Sequence, residues 1–217
     1  MPSTITTLPA LADQAETLIG LGVHDLAGIP VDRLRAVCGD APIGPALLAV
    51  HPGLVPASAL APLVRRNDKP GFVVADMTDL DEFASIPSAA VPDTPLYLVR
   101  DPDRGDAMAN WSPDEALPAI VDSGRTALTV TEGLHWVLQQ PDVLQRNRCF
   151  MTIGSRRRRP DGSLDARTPA LWISNGSGRD GPAHRNAPKV GWCWAGNRHT
   201  WLGFASAARR DALTASG

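Results

Sequence analysis

Lysine is nearly missing from this chain: of 21 basic residues only Lys69 and Lys189 are lysines. Against 23 acidic residues the net charge is −2, so no global attraction to nucleic acid or to an anionic membrane is built in. Cysteine is scarce too. Cys38, Cys149 and Cys193 are odd in number and far apart, which argues against a disulfide framework and for reduced thiols in a cytoplasmic protein. The most apolar stretch, residues 44–64, is broken by Pro45, His51, Pro52, Pro56 and Pro62 and does not read as a membrane span. The first twenty-five residues hold Asp13, Glu16 and Asp25 but no lysine or arginine, so no secretory n-region is expected.

Familiar catalytic signatures are missing as well. There is no Gly-x-Ser-x-Gly elbow, no His-Glu-x-x-His helix and no dinucleotide fingerprint, which argues against the common hydrolases, zinc proteases and dehydrogenases. Cys149, Cys193, His184 and His199 are the soft-ligand candidates, but they lack the Cys-x2–4-Cys or His-x3–5-His spacing of structural zinc. Asp101, Asp103 and Asp106 only loosely resemble a calcium loop and lack its distal glutamate. No metal and no cofactor is expected.

What the chain does have is 20 prolines and 19 glycines, scattered so as to cut it into many short elements. Leu8, Leu11, Ala15, Leu18 and Ile19 recur at helical spacing before Gly20 and Gly22, and a second short helix runs from Val31 to Cys38 with Leu34 and Val37 on one side. Brief apolar runs at Ala46–His51, Phe72–Ala75 and Leu96–Arg100 predict strands, with helices over Ala57–Arg66 and Thr78–Phe83. Ser112-Pro113-Asp114-Glu115 and Thr129-Val130-Thr131-Glu132 are capping boxes, the second opening a helix to Gln140 that carries His135 and Trp136; a third short helix starts at Pro141. Strands are predicted again at Cys149–Gly154, Pro169–Ser174, Val190–Ala195 and His199–Ala205. The expected architecture is α+β: an N-terminal helical hairpin packed on a mixed or antiparallel sheet, ending in a Trp-rich β-hairpin. One domain is expected over residues 1–207, with 1–40 as its helical element and 208–217 as a flexible tail.

Three of the six tryptophans lie between Gly191 and Gly203, together with Cys193 and His199. A hairpin turning at Gly196-Asn197 pairs Trp192 with Trp201 and Trp194 with His199, placing all four on one face and Cys193 on the other. Such an aromatic wall is either core or one side of a pocket for a flat ligand. In the pocket reading Trp172, Trp192, Trp194 and Trp201 hold the substrate, with Asn197 and Ser174 as polar contacts. His199 is the acid–base candidate, since histidine changes charge near neutrality. Cys193 is a second catalytic candidate, which this register holds away from His199. Arg156-Arg157-Arg158-Arg159 before Pro160-Asp161-Gly162 reads as a solvated turn, and Asn175–Gly181 as a flexible loop carrying His184 and Arg185.

The runs Gly124–Thr129, Pro141–Leu144, Pro169–Ser174, Pro188–Trp194 and His199–Gly203 together resemble a bacterial family known only as a domain of unknown function. Its signature is Trp-Cys-Trp followed by His-Thr-Trp-Leu-Gly, and the likeness runs from the N-terminal helix to about Ala207. The resemblance implies no activity. The function expected from the residues is a cofactor-independent enzyme of isomerase, cyclase or lyase type, acting on a small organic metabolite. Two alternatives stand beside it: a non-catalytic ligand- or protein-binding module, and a nucleic-acid-associated protein using Arg146, Arg148 and Arg156–Arg159. Neither a membrane nor a nucleic acid is the expected partner.

Overall fold

In the computed structural model, which describes residues 7–39 and 45–213, the apolar runs become the strands of two main sheets. Helices α1 (Leu11–Gly20), α2 (Val23–Leu26) and α3 (Val31–Gly39) come first, and α1 and α3 bury Ala15, Leu18, Leu34 and Val37 as their spacing predicts. Residues 1–6 and 40 of the expected helical element lie outside the described residues. The remaining principal elements are β1 (Ala46–Val50), α4 (Ala57–Leu60), β2 (Phe72–Val73), β3 (Leu96–Arg100), α5 (Pro113–Asp122), α6 (Val130–Gln139), β4 (Cys149–Met151), β5 (Arg167–Ile173), β6 (Pro188–Trp194), β7 (Leu202–Phe204) and β8 (Arg209–Leu213). The chain is α+β.

Both capping boxes form. Ser112 and Thr129 accept from the amides of Glu115 and Glu132, whose carboxylates accept in return from the capping residues' own amides. The helices expected at 57–66 and 78–83 are mostly single turns: α4 gives way to a 3-10 turn at Ala61–Leu63, and only Leu80–Glu82 coils in the second segment. Pro62 has no amide hydrogen with which to continue α4.

β3 lies between β1 and β8 in a three-stranded antiparallel sheet. The larger sheet has the order β7-β4-β5-β6-β2, parallel at both edges and antiparallel in the middle. α6 packs against β1 of one sheet and β5 of the other, and all of its residues are buried. Gly133 makes this approach feasible: a Cβ there would stand 2.6 Å from Thr152 Cγ2 and 3.1 Å from Leu171 Cδ1. β1 is an edge strand, yet side chains satisfy its outward backbone groups. Gln14 Nε2 donates to the Ala46 carbonyl, Gln14 Oε1 accepts from the Leu48 amide, and His135 Nε2 accepts from the Val50 amide.

Two expectations are corrected here. β6 and β7 are not a hairpin: β6 pairs along all seven residues with β5, so Trp192 faces Pro169 and Trp194 faces Arg167, while Leu202 of β7 lies beside Cys149 of β4. The turn after Trp194 does form, with the Asn197 amide donating to the Trp194 carbonyl. Ala195 then bonds to Ala166, and the polar run Asn197–Thr200 leads away instead of returning along β6. β6 lies between β5 and β2, and the chain after the turn joins the far edge of the sheet, where β7 pairs in parallel with β4.

The flexible tail is the second correction. Residues 209–213 are β8, paired with β3 along its whole length. Arg210 donates to both carboxylate oxygens of the fully buried Glu132 and to the Ala127 carbonyl, and Asp211 accepts from Arg100. Short and polar as it is, the strand is held by charges whose partners lie more than seventy residues earlier. Residues 214–217 lie outside the described residues. Among the described residues no helix is long and apolar enough to cross a membrane.

Two predictions arise here. Arg210→Ala leaves the Glu132 carboxylate buried and unpaired, and is expected to cost about 3–5 kcal/mol in urea unfolding, against a few tenths for a frayed terminus. His135 accepts an amide hydrogen and is wholly buried, and burial lowers its pKa from 6.5 to about 4. An unfolded chain takes up that proton near 6.5 while the folded one refuses it, so stability is full above 6.5 and falls between 6.5 and 4, by about 3 kcal/mol. His135→Gln is expected to flatten that part of a stability–pH curve.

Candidate functional site

The two faces of the large sheet are covered unequally. Leu171, Ile173 and Val190 project into the main core with Phe150, beneath α6, and Trp192 packs against the same core. Alternate residues of these strands project the other way: Cys149, Met151 and Ala170 join Ala116 and Ile120 of α5 in a smaller core, with Trp172 and Cys193 packed at its side. α5 covers only part of this second face. The remainder is a cavity of about 500 Å³, lined by Trp172, Trp192, Trp201, His199, Cys149, Cys193, Asn147, Arg148, Asn175, Ala170, Ile173 and Leu202.

Trp172 is fixed from two directions. Its ring edge lies over Gly191, where a Cβ would approach within 2.5 Å of Cη2. Lys189 holds its ammonium 4.6 Å from the ring centroid while forming a 2.7 Å ion pair with Asp180. Trp172 and Trp192 also line a second, more polar cavity of about 270 Å³ with Phe72, Asp76, Arg179, Asp180, His184 and Lys189. Across the first cavity His199 stacks on Trp201, with centroids 4.6 Å apart and planes at 20°. The His199 carbonyl accepts from the Asn110 and Leu202 amides, so the backbone of this residue is anchored at the head of β7. Trp201 is 52% exposed.

The four aromatic residues expected on one hairpin face are thus divided into two pairs. Trp192 meets Trp194 edge-on at 4.5 Å, and His199 stacks with Trp201. Trp172, Trp192, Trp201, His199 and Cys193 come together at the cavity. Trp194 stands outside it, 46% exposed, and Asn197 is exposed on the turn. Ser174 is buried away from the lining; its hydroxyl donates to Asp180 and accepts from the Gly176 amide. The register argument that separates Cys193 from His199 fails with the hairpin, since both now line one cavity. Asn147, given no role from the sequence, and Asn175, which opens the loop expected to be flexible, also line the cavity. Asn147 did carry a signal: asparagine tolerates the left-handed backbone it adopts there, φ 59°.

Neither thiol is activated. Burial pushes Cys193 up, only partly offset by the Trp194 amide, and burial together with nearby Cys193 pushes Cys149 up to about 12 despite the Arg104 guanidinium. Among the described residues no three His, Cys, Asp or Glu side chains gather as metal ligands. The aspartates after β3 are instead turned to arginines and backbone: Asp101 to Arg125, Asp106 to Arg104, and Asp103 to the Gly105 amide.

The arginine run is not simply a solvated turn. Arg156 is 8% exposed and donates to the Asp165 carbonyl, and Arg157 joins Arg167 in a network with Asp79, Asp165 and Glu82; only Arg158 and Arg159 are exposed. Among these, Arg167 and Asp79 lie eighty-eight residues apart in the chain. The loop after Asn175 is likewise tied down: His184 stacks on Phe72 at 4.0 Å, and Lys69 donates to the Ala183 carbonyl.

A family model described as a family of unknown function, DUF5701, matches residues 17–213, and the chain belongs to that family. No curated protein and no solved structure matches it.

The thiols furnish a prediction. With its thiol pushed from 9.0 to about 12, Cys149 holds roughly a thousandfold less thiolate near neutral pH than an ordinary cysteine. Alkylation by iodoacetamide, followed by peptide mass mapping, is expected to leave Cys149 unmodified at pH 7.5 while a model thiol reacts fully.

Proposed function

We propose that this member of DUF5701 binds a small, flat organic molecule between Trp172 and the His199–Trp201 stack. The observation that carries this reading is a convergence. Aromatic side chains from β5 and from the segment before β7 border one open cavity of about 500 Å³, a size suited to a metabolite. A core tryptophan is enclosed on all sides, as Trp136 is at 1% exposure, whereas Trp201 is 52% exposed beside an apolar wall. Asn147 and Asn175 supply polar groups that orient a bound molecule.

A catalytic reading is favoured by one specific feature. His199 is the histidine in the lining, and imidazole is the side chain suited to moving protons near neutral pH. In that reading His199 is the acid or base of an isomerisation, cyclisation or elimination that needs no cofactor, with both thiols as passive lining.

The neutral fluorophore N-phenyl-1-naphthylamine tests binding. Saturable binding is expected for the wild type, weakened about tenfold in Trp201→Ala, whose exposed position spares the fold. No saturable binding, or equal affinity in the variant, overturns the proposal. A metabolite screen separates the readings: a catalyst turns one over and His199→Ala loses that turnover while keeping binding, whereas a binding module binds one without turning it over.

A further inference from the structure

Charge at the cavity is one-sided. Its described lining contains Arg148 and His199 with the amides of Asn147 and Asn175, and no carboxylate. The nearest acid to Arg148 is Asp106, 3.6 Å away, and Asp106 also serves Arg104 at 3.3 Å. Two guanidiniums therefore share one carboxylate. Arg104 is 1% exposed, sits against Cys149 of the cavity wall and has an Nη2 without a hydrogen-bond partner among the described residues. Arg148 is the exposed member of the pair, with its side chain 57% exposed. The neighbouring polar cavity differs, because its cations are matched: Arg179 by Asp76 at 2.6 Å and Lys189 by Asp180 at 2.7 Å.

A positive charge that shares its one counter-ion with a second guanidinium, beside aromatic walls and with no carboxylate in the described lining, recognises a particular chemistry. The walls accept a flat ring, and a guanidinium fork matches a carboxylate or another planar anion. We propose that the cavity selects flat organic anions, with Arg148 receiving the anionic group and the ring lying against Trp172 and Trp201. This rests on the reading of the cavity as a binding site and adds the class of ligand. The amides of Asn147 and Asn175 donate without adding negative charge, and the protonated thiols add none, so nothing in the described lining repels such an anion.

The test uses three naphthalenes of matched shape, titrated calorimetrically into the full chain: 2-naphthoate, the neutral 2-naphthamide and the cationic 2-naphthylmethylammonium. Naphthoate is expected to bind about tenfold or more tighter than naphthamide, with a preference that shrinks as salt rises. In Arg148→Gln, checked for an unchanged thermal midpoint, the preference is expected to vanish while naphthamide affinity stays within about twofold. Equal binding of naphthoate and naphthamide, or tighter binding of the ammonium, overturns the anion assignment and leaves the cavity reading standing, and a preference that survives in Arg148→Gln overturns the role given to Arg148. Binding of none of the three overturns both.

Discussion

α6 is the element on which the rest of the fold depends. Ten residues form a helix with no solvent-facing side, so its polar groups have only the protein to bond with, and of these His135 Nδ1 and Gln139 Oε1 have no partner among the described residues. The partners are spread across the chain: Glu132 takes Arg210 of the last strand, His135 takes the Val50 amide of the first, Gln139 donates to the Gln14 carbonyl of α1, and Trp136 donates to Gln140. A hydrophobic helix can slide on its neighbours, but one carrying these bonds has a single position that satisfies them. Gly133 sets how close the large sheet comes, and the Thr129–Glu132 capping box sets where the helix begins. Gln14 extends the same logic outward, tying α1 to the open edge of β1.

The cavity is a consequence of unequal covering. α6 occupies one face of the large sheet, and α5, held at its start by Ser112 and Glu115, reaches only part of the other. What remains uncovered is the stretch of β5 and β6 bearing Trp172, Gly191 and Cys193, against which His199 and Trp201 are brought by the segment that crosses to β7. An indole seated on a glycine and backed by an ammonium is a rigid wall, because each of its contacts is itself fixed. That rigidity suits recognition of a flat molecule, which loses little freedom against a preformed surface.

Arginine supplies much of the long-range connection. Arg157 and Arg167 join three acidic side chains into a network next to the cation–π contact of Arg167 with Phe83, and Arg167 holds the Asp165 carboxyl at about 2. Planar, multiply donating guanidiniums can bridge several carboxylates at once, which an ammonium does less well. Arg148 differs from these in standing at the cavity, with its side chain 57% exposed and Asp106 3.6 Å away.

The short apolar strands, the helical spacing of Leu18, Leu34 and Val37, and both capping boxes were legible in the sequence, because each depends on residues a few positions apart. The concentration of tryptophan and histidine near the C-terminus likewise marked the segment that lines the cavity. Pairing was not legible. The Gly196-Asn197 turn is real, but the strand after it pairs with β4, about fifty residues upstream, at the far edge of the sheet, and local turn chemistry carries no information about that partner. For the same reason a polar C-terminal stretch read as loose, when Glu132, seventy-eight residues earlier, makes it a strand. Sequence by itself determined the N-terminal helices, the two capped helices and the apolar strands, since those are local balances of propensity and capping. Only the tertiary structure decided which strands adjoin, which face of the sheet stays open and which arginine stands at the cavity, since each follows from contacts between residues far apart in the chain.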